Sequence, residues 1–189
     1  VHCTSSTNYQ GISIGDGGRV AGCTVTGPGI SSGINGTMGV LIEDCAVTGH
    51  GSQGINVQRG SVVRHCALQN NASGGIADDG GTKGNVTVIG CAVTACGPYG
   101  IKLADGGLLQ DSTVRGCTNG IETAAGCTVT GCSVSYNTSN GITAGAGIEL
   151  EQLLTEPADF DARGRIRPRI EIRGTAEGLG RDGVLLRHG

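Results

Sequence analysis

Residues 22–27 read GCTVTG, and altered copies return along the chain: DCAVTG at 44–49, HCALQN at 65–70, GCAVTA at 90–95, DSTVRG at 111–116 and GCSVSY at 131–136. The column they define (Cys3, Cys23, Cys45, Cys66, Cys91, Ser112, Cys132) steps by 20, 22, 21, 25, 21 and 20 residues. Gly-Ile pairs at 11, 33, 54, 75, 100, 120 and 141 form a second ruler, with steps of 22, 21, 21, 25, 20 and 21. Two independent markers that drift together define one structural unit, repeated.

Each unit holds three short apolar pieces. In the third they are Ile55-Asn56-Val57, Ser61-Val62-Val63 and Cys66-Ala67-Leu68. The residue two after the Cys position is always Val or Leu (Val25, Val47, Leu68, Val93, Val114, Val134), and the one three before it is always aliphatic. Turn-forming stretches such as GDGG at 15–18, DDGG at 78–81 and ADGG at 104–107 lie between the pieces. Three strands and three corners in about 21 residues make one coil of a solenoid. Coils stacked about 4.8 Å apart turn each apolar position into an inward column, and seven give a rod roughly 30 Å long.

The composition agrees. Gly accounts for 37 of 189 residues and aromatics for 2%, too few rings for an ordinary globular core; Val, Ile, Ala and Cys must fill a thin, regular interior. The net charge of −3 makes no electrostatic case for nucleic acid. No run of 18 apolar residues exists, so no membrane span is expected. No signal peptide is visible at Val1.

Residues 1–147 resemble the right-handed parallel β-helix repeats of the pectate-lyase-like superfamily, through the xGIxV strand, the Gly-rich corner and the CxV strand at a period of 20–25 residues. The resemblance implies an all-β, right-handed parallel β-helix of about seven coils. That superfamily holds lyases, hydrolases, epimerases, adhesins and surface proteins, so activity does not follow from fold. The resemblance implies a secreted or cell-surface setting and polysaccharide as partner.

Cys is small, apolar and tolerant of burial, and Ser112 takes the same column without disturbing the pattern. The reading is a ladder of packed thiols selected for size. Disulfides between neighbouring coils are the alternative, with Cys96 and Cys117 the best-placed pair. Zinc is disfavoured, since there is no CxxC and no His near the close Cys pairs.

One neighbourhood is rich in chemistry-bearing residues. Asp78 and Asp79 lead into the longest coil, whose extra residues around 79–85 include Lys83; Lys102 and Asp105 follow one coil on, and Glu122 one further. Asp79 and Asp105 each precede Gly-Gly and are expected to stack at one corner. Clustered carboxylates beside a Lys suit calcium-assisted proton abstraction from an acidic sugar, with Asp79, Lys102 and Glu122 as catalytic candidates and Asp78, Asp79 and Asp105 as calcium ligands. The competing structural reading makes the Asp residues turn formers and Lys102–Glu122 a cross-strand ion pair. The GHG at 49–51 invites comparison with polygalacturonases, but the aspartate pair follows it rather than preceding it, so His50 reads as a corner residue. Glu43-Asp44 and Arg64-His65 fall at matching positions of adjacent coils, as stacked opposite charges do. Asn119 and Asn140 are expected to stack ahead of their Gly-Ile pairs.

Residues 148–189 form a second, non-repeat segment. IELEQLLTEP at 148–157 reads as a short amphipathic cap ending at Pro157, and RIRPRIEIR at 165–173 as an exposed edge strand, followed by a tail. The functional expectation is a rigid β-solenoid scaffold or carbohydrate-binding module without a cofactor. The alternative is a polysaccharide lyase or epimerase acting on uronate-containing glycans with calcium. Self-association through the end at Val1–Asn8 is a third possibility.

Overall fold

The structure, a computed structural model, describes residues 3–6, 11–79, 84–151, 154–155 and 170–172. Every regular element among them is a strand, and all strand pairs are parallel. The strands form three sheets of 8, 8 and 7 strands, visited in rotation by the chain. The first sheet carries the Cys-x-Val repeat (from Thr4–Ser6 through Ser133–Ser135 to Leu154–Thr155), the second the Gly-Ile repeat (from Ile12–Ile14 through Ile142–Ala144 to Ile170–Ile172), and the third runs from Arg19–Ala21 to Glu149–Glu151.

Register follows the two sequence rulers. Ile34 pairs with Ile55, Ile55 with Ile76, Ile76 with Ile101, Ile101 with Ile121 and Ile121 with Ile142. These six side chains are all 0% exposed. Val25, Val47, Leu68, Val93, Val114 and Val134 make the facing column in the first sheet, and all are buried. No coil encloses a core of its own; the columns exist only through stacking.

The Gly preceding each Ile is required by the thinness of this interior. A Cβ on Gly54 would lie 2.6 Å from both Leu68 Cδ2 and Asn71 Nδ2, and 3.0 Å from Gly75 O. The first and second sheets meet too closely at this corner for any side chain.

Pairing continues past Gly147, where the repeat stops being readable. Ile148 is buried in the core, and Leu150 pairs with Val129. The alternation of Glu149-Leu150-Glu151 supports a strand in place of an amphipathic cap turn. Of the expected edge strand at 165–173, Ile170–Ile172 is described and pairs with Ile142–Ala144. The end at Val1–Asn8 lies outside the described residues except for 3–6, whose strand is the terminal one of its sheet.

The cysteines answer the question of chemistry against size. All nine are free thiols, Cys96 and Cys117 included. Along the ladder, Cys23, Cys45, Cys66, Cys91 and Cys132 each donate to the carbonyl two residues back, at 3.1–3.5 Å. Ser112 Oγ does the same to Gln110 O at 2.9 Å, so a hydroxyl fills the role of the thiol. Burial pushes the Cys117 thiol up to about 11 and raises those of Cys96, Cys127 and Cys132, which suppresses the reactive thiolate. The expected outcome of a thiol titration with an aromatic disulfide reagent is fast reaction of exposed Cys3 alone, with the other eight released only in denaturant. Fast reaction of several thiols in the native protein would contradict the packed ladder.

Candidate functional site

The outer face of the second sheet carries a groove of about 450 Å³, lined by Asp78, Asp79, Lys102, Glu122, Thr123 and Thr143 together with the apolar Leu103, Ala104 and Ala124. A second depression of about 310 Å³ continues it past Asn119 and Asn140 to Gly145, with Glu122, Thr123 and Thr143 common to both. The geometry originates in the strand register. Ala77, Lys102, Glu122 and Thr143 occupy successive levels of one outward file, one coil apart. Adjacent inward positions belong to Val57, Asp78, Leu103, Thr123 and Ala144.

The structure therefore brings Asp79, Lys102 and Glu122 to one groove. It does not gather the three expected calcium ligands: Asp78 and Asp79 both line the groove and Asp105 does not. Asp78 sits in the inward file, is buried, and its Oδ2 accepts from Ala104 N at 3.3 Å. Asp105 does not line the groove; its Oδ1 accepts from Ala125 N at 2.9 Å and holds a corner. The expected stacking of Asp79 on Asp105 is not found. The 25-residue coil takes up its extra residues after Asp79, so Asn85 meets Asp105 instead, its N–H donating to Asp105 O at 3.1 Å. Among the described residues, no three His, Cys, Asp or Glu side chains are grouped to hold a metal ion. The donor set thus does not fit calcium as the sequence suggested. Lys83 lies outside the described residues.

Lys102 and Glu122 are register neighbours, yet they do not form the expected ion pair. Glu122 Oε1 accepts from Asn119 Nδ2 at 2.7 Å, and Lys102 Nζ lies 5.6 Å from the centre of the Tyr99 ring. Each side chain turns to a partner three residues back on its own strand. Thr123, next to Glu122 but in the inward file, is 8% exposed, and its buried hydroxyl has no partner. Tyr99 packs across Gly74, and its hydroxyl accepts from Gln53 Nε2 at 3.2 Å. Asn140 N donates to Asn119 Oδ1 at 3.3 Å, as stacking predicts.

Two further clusters are structural. Glu43 is buried between Arg19 and Arg64, with Arg64 Nε donating to Oε2 at 2.8 Å and Arg19 pairing with Oε1. The Arg64 and Arg19 guanidiniums hold its carboxyl below the usual range. Asp44 lies 3.7 Å from His65. The stacked charges of the sequence reading are thus present, with Arg19 added. His50 is 1% exposed with both ring nitrogens unpartnered, and burial holds its imidazole below the usual range. It belongs to an inner corner file with Asn71, Cys96, Cys117 and Asn137, each five residues after the ladder position. Asn71 Oδ1 accepts from His50 N at 3.1 Å, and Asn137 Oδ1 from Cys117 N at 2.9 Å. That file was visible in the spacing but shares no chemistry that would mark it.

Stacked parallel coils with three sheets and a file of buried aliphatic side chains along each sheet define the parallel β-helix class. The family described as right handed beta helix region matches residues 29–152, more than half of the chain, and the protein belongs to it. No curated protein matches. Among solved structures, the Siphovirus 9NA tailspike receptor binding domain is similar over 98% of this chain and 48% of that one, at 11% identity and a TM-score of 0.43. The protein thus spans about half the length of that chain. No helix among the described residues is long and apolar enough to cross a membrane.

Proposed function

We propose that this protein is a rigid β-solenoid module of a secreted or cell-surface protein, and that it binds polysaccharide along the outer face of its second sheet. The observation that carries this reading is the continuous groove from Asp79 past Lys102, Glu122 and Thr143 to Asn140. Its polar side chains repeat with the coil spacing of about 4.8 Å, close to the advance of one pyranose along an extended glycan. The groove is a shallow trough on a sheet face, which suits an extended polymer better than a small molecule needing enclosure. A rigid backbone carries the side chains, so little ordering is needed on binding.

The test is affinity electrophoresis of the whole chain through gels containing soluble polysaccharides. Retardation by at least one polymer, lost in a Lys102→Ala/Glu122→Ala double variant of unchanged thermal stability, is the expected result. No retardation by any polymer would leave only the scaffold role.

A second reading, a lyase or epimerase, has one observation in its favour: Asp79, Lys102 and Glu122 share the groove. Its measure is the ultraviolet absorbance of unsaturated ends during incubation with uronate polymers and calcium. Product formation abolished by Lys102→Ala would establish it in place of simple binding.

A further inference from the structure

The outer faces of the three sheets differ in chemistry. From Thr24 to Arg115 the first turns Thr, Ala, Gln and Arg outward, and the central outward file of the second, from Ser13 to Thr143, holds no aliphatic side chain larger than alanine. The third instead turns Leu41, Val62, Ile89 and Leu108 outward on four consecutive coils, each half-buried. Single aliphatics at a surface are ordinary, whereas a contiguous strip on one flat face marks an interaction surface.

The two ends of this face carry opposite charge. Register carries one file from Arg19 through Leu41, Val62, Thr87, Leu108 and Thr128 to Glu149. At the first end Arg19 and Arg64 share the single carboxylate of Glu43, and the Arg19 side chain remains 64% exposed. At the other, Glu149 and Glu151 are both exposed, in the terminal strand of the sheet.

A second copy turned end for end complements all of this. A two-fold axis along the strand direction at Thr87–Ile89 sets Arg19 against Glu149 of the other copy, Val62 against Leu108, and Ile89 against Ile89. The strands of the two copies then run alongside, the aligned way in which sheet faces pack, and the contact closes on itself. The parallel arrangement would instead hold Glu149 and Glu151 against the same two residues of the other copy, which like charge opposes. Seven strands give a face of roughly 30 by 15 Å, so about 900 Å² is buried in total, the size of a weak, reversible contact.

We infer that this protein forms a weak antiparallel dimer through the outer face of its third sheet, leaving the groove on the second sheet uncovered.

Sedimentation equilibrium of the full chain between about 10 μM and 1 mM tests this. A monomer–dimer equilibrium is expected. Val62→Lys, which puts a charge at the centre of the strip, should weaken it about tenfold or more, and Thr113→Lys on the outer face of the first sheet should leave it unchanged. Glu149→Lys and Arg19→Glu should each weaken self-association, and mixing the two should restore a heterodimer, because unlike charges then meet at both ends. Thermal denaturation of each variant separates loss of association from loss of fold. Salt gives a readout that does not require Arg19→Glu to fold beside Glu43: raising it from about 0.05 to 0.5 M should weaken the unaltered dimer and strengthen that of Glu149→Lys. A monomer at every concentration would overturn the dimer. Growth beyond two copies, or a dimer indifferent to Val62→Lys, would rule out this face. Mixed variants that associate no better than either alone, or a Glu149→Lys dimer that salt weakens, would contradict the antiparallel register.

Discussion

Replacing Gly54 by alanine should destabilise the fold by about 3 kcal/mol, the upper part of the range for forcing extra volume into a packed core. The added methyl meets Leu68 Cδ2 and Asn71 Nδ2 at 2.6 Å and Gly75 O at 3.0 Å. None of the three can withdraw. Leu68 is 2% exposed and wedged in its column, Asn71 is fixed by hydrogen bonds, and Gly75 O belongs to the next coil. The neighbouring coils repeat the geometry, so any displacement passes along the stack. Gly15→Ala is the control, since a Cβ there has no atom within 4 Å and Gly15 is exposed. Urea unfolding curves for the two variants check this. Equal midpoints would mean that the first and second sheets are further apart than described, and that the Gly of each Gly-Ile pair is there for another reason.

Asn71→Ala should cost a similar amount, about 3 kcal/mol, for a different reason. The side chain is 0% exposed, its Oδ1 takes the His50 N–H at 3.1 Å, and its Nδ2 donates to Val47 O at 3.2 Å. Truncation leaves a buried N–H without its acceptor and opens a void in the corner, two penalties that add. Coil 45–65 is thereby tied to coil 66–90 by a side chain as well as by its sheets. Gln69→Ala, two residues away on the exposed face, should change stability by less than about 0.5 kcal/mol. The two variants differ in burial but not in location along the rod, so unfolding midpoints isolate the effect. Indistinguishable values would remove the inner corner file as a stabilising element.

The fold was legible because a solenoid writes its register into local spacing. Cys45 to Cys66 and Gly54 to Gly75 both advance by 21 residues, and that agreement alone stacks Ile55 beneath Ile76. Legibility ended where the period changed or the chemistry was mixed. In the 25-residue coil, spacing places the extra residues around 79–85 without saying on which side of Asp79 they enter, and Asn85 rather than Asp79 meets Asp105. Asp78 reads as a candidate calcium ligand in the sequence because its acidic side chain hides that it continues the inward file of Val57 and Leu103. Thr123 was missed for the converse reason: a threonine in a strand draws no notice until its hydroxyl proves buried and unpaired. Lys102–Glu122 shows the limit of register itself. Adjacent levels set which side chains are neighbours, while Tyr99 and Asn119 on the same strands decide where they turn.

The proposed carbohydrate-binding function rests on one sheet face out of three, and backbone amide shifts on titration with a soluble oligosaccharide test that most directly. The account predicts shifts concentrated on Asp79, Lys102, Glu122, Thr123 and Thr143, tapering towards Asn140, with the first sheet unmoved at Ala92 and Thr113. Shifts centred on the first sheet, or none at saturating sugar, would contradict it.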